Sequence, residues 1–152
     1  MLFPWQKPKA FFTEEQKQHI VQAVQQAERQ TSGEVRVYVE SKCSFVDALD
    51  RAEEIFFELQ MDKTALHNGV LVYVAVDDKQ VAVYADEGIH AKTGRQYWLS
   101  MVSTMLHQFR QEQIVDGICS AVLKIGEALT HHFPYNSATD KNELPDDIVF
   151  GK

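Results

Sequence analysis

The chain has 152 residues, 45% of them apolar and 24% charged, the composition of one soluble globular domain rather than a disordered, fibrous or membrane-spanning chain. A chain of this size should bury roughly 70% of the surface that its unfolded form exposes, enough for one core and too little for two. Fifteen Lys and Arg against twenty-two Asp and Glu leave a net charge of -7, which argues against nucleic acid and favours cations or basic partners.

Cys43 and Cys119 stand far apart, with neither zinc-ligand nor CxxC spacing, so they read as free thiols in a reducing compartment. The opening MLFPWQKPKAFF is interrupted by Pro4, Gln6, Lys7, Pro8 and Lys9, which predicts no export signal. Nowhere do enough apolar residues run together to span a bilayer. The expected location is the cytoplasm, with no membrane insertion.

After an N-terminal arm (1–12), Thr13-Glu14-Glu15-Gln16 is a capping box that opens the first helix. Ile20, Val24 and Ala27 share one face of that helix, and glutamines solvate the rest. Thr31-Ser32-Gly33 ends it, and Glu34-Val35-Arg36-Val37-Tyr38-Val39-Glu40 alternates with period two, predicting a half-exposed first strand. Ser44 begins a second helix with Leu49, Ala52, Phe56 and Leu59 turned inward. A loop carrying Asp62, Thr64, His67, Asn68 and Gly69 leads into Val70–Val76, an unbroken apolar run expected of a central strand covered on both faces. The polar turn Asp77–Gln80 then leads into Val81–Ala85, which predicts a hairpin.

Thr93-Gly94-Arg95-Gln96 reads as a second capping box, opening a third helix on the stripe Trp98, Met101, Val102, Met105 and Phe109. A fourth helix carries Ile118, Ala121, Val122, Ile125 and Leu129, and Pro134 stops it. The tail, 135–152, contains Leu144, Ile148, Val149 and Phe150 and should be docked. With no repeat or linker, residues 1–152 read as a single domain. Asp140-Lys141-Asn142 begins like a calcium-binding loop but lacks that loop's glycine.

The crossover from strand one through helix two to strand two makes those strands parallel, and strand three runs back. The exit of strand three therefore lies beside the entrances to the other two. That edge should collect Thr31, Ser32 and Glu34 from one loop, Asp62, Thr64, His67 and Asn68 from the next, and Asp86, Glu87, His90 and Thr93 from the third. His131 and His132 return there on the last helix. Carboxylates from separate loops, joined by hydroxyl and amide oxygens, are what calcium or magnesium requires; the bland alternative is a solvated acidic rim. The expected metal ligands are Asp86, Glu87, Asp62 and Glu34. Thr31, Ser32, Thr64, Asn68, His90, Thr93 and Gly94 are in support or hold an anion at the helix-three N-terminus. Adjacent histidines on a helix point about 100° apart, so His131 and His132 do not suggest a zinc site.

Thr31-Ser32-Gly33-Glu34-Val35, Asn68-Gly69-Val70-Leu71-Val72-Tyr73-Val74-Ala75, Tyr84-Ala85-Asp86-Glu87-Gly88-Ile89 and His132-Phe133-Pro134 resemble the TPM-domain family. The closing Lys141-Asn142-Glu143-Leu144-Pro145-Asp146-Asp147-Ile148-Val149 is similar to its short bacterial, non-exported members. The resemblance implies a Rossmann-like three-layer α/β/α sandwich with a small mixed sheet, divalent cations held in loops at one sheet edge, and, for a plant thylakoid member, acid phosphatase activity. Bacterial relatives often neighbour membrane proteins, which implies a protein partner that is itself membrane-associated. Many exported relatives carry an acid after the threonine that precedes helix three, where this chain has Gly94 after Thr93. The expectation is a calcium- or magnesium-binding domain whose edge loops the metal orders, serving interaction or regulation. The alternatives are a weak metal-dependent acid phosphatase and a metal-free interaction module. No Ser, Cys or Asp lies in a recognisable activated-nucleophile motif.

Overall fold

The computed structural model describes residues 11–44, 46–135 and 148–151. In chain order its elements are α1 (Glu14–Glu28), β1 (Glu34–Glu40), α2 (Ala48–Glu58), β2 (Gly69–Ala75), β3 (Gln80–Ala85), α3 (Glu87–Thr93), α4 (Arg95–Arg110), α5 (Ile114–His132) and β4 (Val149–Phe150). Most of the N-terminal arm and the calcium-loop-like stretch at Asp140 lie outside the described residues.

The first capping box forms as the residues predict. The Gln16 amide donates to the Thr13 hydroxyl at 3.1 Å, and the Thr13 amide donates to the Gln16 side chain at 2.9 Å. The sheet order is β3-β2-β1-β4, with β1 parallel to β2 and β4, and β2 antiparallel to β3. Every residue of β2 is buried. Its alternate side chains face two separate cores, because successive residues of a strand point to opposite faces. Val70, Val72 and Val74 meet α1, α4 and α5, whereas Leu71, Tyr73 and Ala75 meet α2. The fold is therefore a three-layer α/β/α sandwich around a small mixed sheet.

Several elements depart from expectation. Strand β1 is not half exposed: Glu34 and Glu40 are buried together with its valines, since α2 covers the face that carries them. Helix α2 starts at Ala48 with Asp47 as N-cap, not at Ser44. Leu49 is 38% exposed, and Ile55 takes the inward place beside Ala52 and Phe56. The short helix α3 was not anticipated. It forms because the Asp86 carboxylate accepts the Glu87 amide at 2.8 Å and the Asp86 carbonyl accepts the His90 amide.

The second capping box does not form. Thr93 closes α3 instead, its hydroxyl donating to the Ile89 carbonyl at 3.4 Å, and α4 begins without a side-chain cap after Gly94. Gly94 has φ +80° and ψ 164°, a backbone region open essentially to glycine alone. The described end of the tail is docked, since β4 pairs with Tyr38 and Val39 and the Gly151 amide donates to the Val39 carbonyl.

At the edge where β1 ends, Glu40 is buried but fully engaged. It accepts from Arg51 through two contacts of 3.0 and 3.1 Å and from the Tyr73 hydroxyl. Burial first, and then the hydrogen bond to Glu40, push the Tyr73 phenol far above its ordinary value, and burial also raises Tyr38, Tyr84 and Tyr97. A raised phenol pKa contributes stability that is complete below the unfolded value of about 10 and lost as pH rises through the folded value. Urea midpoints should accordingly fall as the pH is taken above about 10. Tyr73→Phe should cost about 1.5–3 kcal/mol at neutral pH, the range for a hydrogen bond to a charged group, and should show a shallower alkaline decline than the parent; equal slopes would deny Tyr73 its part.

Candidate functional site

The topology brings three loops to the edge where β3 ends. The α2–β2 loop is tied to the start of β1 by the Glu34 amide, which donates to the Asn68 carbonyl at 3.3 Å, and by the Asn68 side-chain amide, 3.3 Å from the Ser32 hydroxyl. It is tied to the β3–α3 turn by the Asp86 amide, which donates to the Gly69 carbonyl at 2.9 Å, and by the Ile89 amide, which donates to the His67 carbonyl. The end of α5 joins them, because the Ser32 amide and the Thr31 hydroxyl both donate to the Phe133 carbonyl. His131 and His132 thus reach this edge, their rings packed edge to face at 4.7 Å.

Gly88 makes the close docking of α3 possible. A Cβ at that position would collide with the carbonyl oxygens of Leu66 and His67. The loop on the other side of this contact is itself constrained, since His67 holds a left-handed φ of +50°, uncommon for a residue with a side chain. The result sets the His67 ring 3.4 Å from the Asp86 carboxylate. Beside that pair lies an open cavity of about 660 Å³ whose polar lining is Asp62, His67, Asp86, Glu87 and His90.

Thr31, Glu34, Thr64, Asn68 and Asp86 are all buried polar residues, and all five come from this edge. Burying a polar atom without a partner costs free energy, so atoms left unsatisfied are informative. Among the described residues, Thr64 Oγ1, Asn68 Oδ1 and Asp86 Oδ2 are buried and accept no hydrogen bond. The arrangement offers oxygen donors of three chemical kinds, hydroxyl, amide and carboxylate, which is the chemistry of a hard cation. No group of three or more His, Cys, Asp or Glu among the described residues has metal-holding geometry, so any cation here would depend on neutral oxygens as well as carboxylates.

The expected residues fall into three sets. Asp86 sits at the centre, Asp62 and His90 line the cavity, and Glu87 is exposed as the first residue of α3. Thr31, Glu34, Thr64 and Asn68 are buried at the same edge but do not line the cavity, and half-buried Ser32 is tied to Asn68. Thr93 and Gly94 do not serve as an anion cradle: the Gly94 amide donates to the His90 carbonyl at 2.9 Å, and the Thr93 hydroxyl is turned onto Ile89. Gly88 is not among the expected site residues; the signal that would have found α3 is Asp86, an N-cap residue type directly before it.

Helices on both faces of a mixed sheet, with oxygen-rich loops gathered at the exit of β3, define an α/β domain of the three-layer kind. The TPM domain pattern matches residues 6–128, and the chain belongs to that family. Its structure is similar to that of BA42 protein from the psychrophilic bacterium Bizionia argentinensis, at 39% identity and a TM-score of 0.85, covering 95% of this chain and 99% of that one. The N-terminal domain of a protein from P. gingivalis shares the fold at 14% identity and a TM-score of 0.69, with 84% and 83% coverage. So does the N-terminal domain of cg2496 protein from Corynebacterium glutamicum, at 11% identity and a TM-score of 0.56, with 95% coverage of each chain. No functionally curated protein matches the chain.

The contact at Gly88 can be tested directly. Gly88→Ala should cost roughly 1–3 kcal/mol, the usual range for overpacking, read from the shift in urea midpoint. It should also broaden or move the amide resonances of 64–68 more than those of the β2–β3 turn; an unchanged midpoint would show that α3 is not held by this contact.

Proposed function

We propose that this chain is a divalent-cation-binding domain, taking calcium or magnesium at the edge where β3 ends, and that the cation orders the three edge loops for interaction or regulation. The observation that carries this reading is a set of buried oxygens: Thr64 Oγ1 and Asn68 Oδ1, which have no hydrogen-bond partner, and Asp86 Oδ2, which has only the His67 ring at 3.4 Å. A cation would satisfy them and offset the cost of burying them. Asp86 would be the central ligand. Thr64 and Asn68 would add neutral oxygens, and Asp62, Glu34 and Glu87 would add charge from the loops on either side. A cation bound at Asp86 would take over the contact that the His67 ring makes with this carboxylate at 3.4 Å.

The chain's net charge of -7 supports cation attraction in general, but only a built site distinguishes one carboxylate from another. A protein partner, itself membrane-associated, belongs to the same reading, as does a cytoplasmic location: Cys43 and Cys119 are free thiols. No helix among the described residues is long and apolar enough to cross a membrane. A phosphatase reading draws less support, since the amide and hydroxyl at Gly94 and Thr93 that would have held a phosphate are already spent within α3.

Amide NMR titration with calcium and with magnesium should perturb residues 31–34, 62–68 and 86–93 together. The β2–β3 turn should stay nearly unchanged, because Asp78 is committed there to the Cys43 amide at the other edge of the sheet. Asp86→Asn should weaken binding at least about ten-fold, roughly 1.4 kcal/mol, while Asp78→Asn should leave it within about two-fold. Equal losses in the two variants would mean diffuse charge attraction and would defeat the reading.

A further inference from the structure

Strand β3 is an edge strand: β2 pairs with one side of it, and no described strand pairs with the other. The Asp86 amide donates to the Gly69 carbonyl, and hydrogen-bonded residues alternate along an antiparallel ladder. In the uninterrupted register of β2 and β3, Gln80, Ala82 and Tyr84 therefore bond inward, and the backbone groups of Val81, Val83 and Ala85 point to the free side. Edges of this kind are ordinarily protected by proline, by a lysine, by a bulge or by a covering segment. Gln80-Val81-Ala82-Val83-Tyr84-Ala85 contains no proline or charge, and its six paired residues run without a bulge.

This edge is recessed. Helices α2 and α4 overhang it from the two faces of the sheet, leaving a groove of about 390 Å³ walled by Ala48 and Leu49 on one side and Trp98, Leu99 and Val102 on the other. That volume falls within the roughly 300–1,000 Å³ of ordinary ligand clefts. Val81, Val83 and Ala85 are each under a tenth exposed, yet Leu49 and Leu99 on the rims are 38% and 42% exposed. The Trp98 indole N–H, buried at the groove, has no acceptor among the described residues.

We infer that this groove accepts an extended peptide segment of a partner protein, added to β3 as a further strand. Main-chain hydrogen bonds to Val81, Val83 and Ala85 would supply affinity, and the two walls would select apolar side chains at alternate positions. A second copy of this chain does not fit, because its own β3 lies in the same recess and the rims of the two molecules would meet first. Of the described residues nearest the chain ends, Phe11 stacks on Phe150 of β4, at the opposite edge of the sheet from β3. The charged groove residues are Asp47 at the α2 end and Arg95 with His90 at the α3–α4 end. The guest should therefore carry a basic residue where it meets Asp47 and an acidic one where it meets Arg95. This inference does not depend on a cation, and its test is run in EDTA.

Two capped probe peptides, Lys-Val-Thr-Val-Thr-Val-Asp and its reverse Asp-Val-Thr-Val-Thr-Val-Lys, cover both directions of addition. In 15N-resolved titrations, one of them should shift the amides of 81–85 and the Trp98 indole signal, and a control with Asp at both ends should bind more weakly. Leu99→Glu places a charge on an exposed rim without touching the core, and it should weaken binding at least about ten-fold. Val83→Pro removes an outward N–H, tolerable on an edge strand, and should do the same. Absence of shifts with both probes, or binding undiminished by Leu99→Glu, would overturn the inference. So would concentration-dependent shifts at these resonances without peptide, accompanied by a dimer in sedimentation.

Discussion

The burial of β2 on both faces is the constraint on which the rest of the molecule depends. A strand with seven buried residues cannot leave either side to water, because its valines on one face and Leu71 and Tyr73 on the other each need an apolar partner. Helix α2 on one side, and α1, α4 and α5 with Ile89 of α3 on the other, meet that need. The right-handed crossover through α2 then forces β1 to run parallel to β2, and the short Asp77–Lys79 turn forces β3 to return. Once these directions are set, the polar loops have no freedom in where they gather. Those leading into β1 and β2 must meet the one leaving β3.

The two ends of the sheet treat buried polar groups in opposite ways. Where β1 ends, Glu40 is closed by Arg51 and Tyr73, and the Cys43 amide by Asp78. That network is complete and acts as structure. Where β1 begins, the loops bond to one another chiefly through their backbones, and Thr64 Oγ1, Asn68 Oδ1 and Asp86 Oδ2 have no hydrogen-bond partner. A folded chain tolerates few such atoms. These three oxygens lie at one end, near a cavity lined by Asp62, His67 and His90, and they are what the proposed site adds to an acidic rim. The distribution of charge alone does not single out this end, since Asp77 and Asp78 make the other end acidic too.

Much of this was legible in the residues. The period-two and unbroken apolar runs specify the strands, and the crossover alone requires Thr31, Glu34, Asn68 and Asp86 to share one edge. What could not be read was local competition. Thr93-Gly94-Arg95-Gln96 has the residue types of a capping box, yet the hydroxyl turned back to Ile89, because a helix too short to show a hydrophobic period already occupied 87–93. Glu34 and Glu40 are equivalent in an alternating pattern, and nothing local shows that α2 covers both. Leu49 looked inward by spacing, but α2 begins later than Ser44 and its register turns that side chain to the rim of the β3 groove.

Helix α3 links the two proposed sites. It is seven residues long and cannot stand alone, since isolated helices shorter than about 12–15 residues are marginal in water. Its position rests on the Asp86 cap, on Ile89 in the core and on the fit of Gly88 against Leu66 and His67. His90, on the same helix, lines both the acidic cavity and the β3 groove, as do Tyr84 and Ala85. A cation that fixed Asp86 would also fix the end of the groove nearest Arg95, and a strand laid along β3 would press on the helix that Asp86 caps. Coupling between such sites is reciprocal by thermodynamic necessity. A cation that favours the peptide must be favoured by it in equal measure, and the shared helix is the element through which that exchange would have to pass.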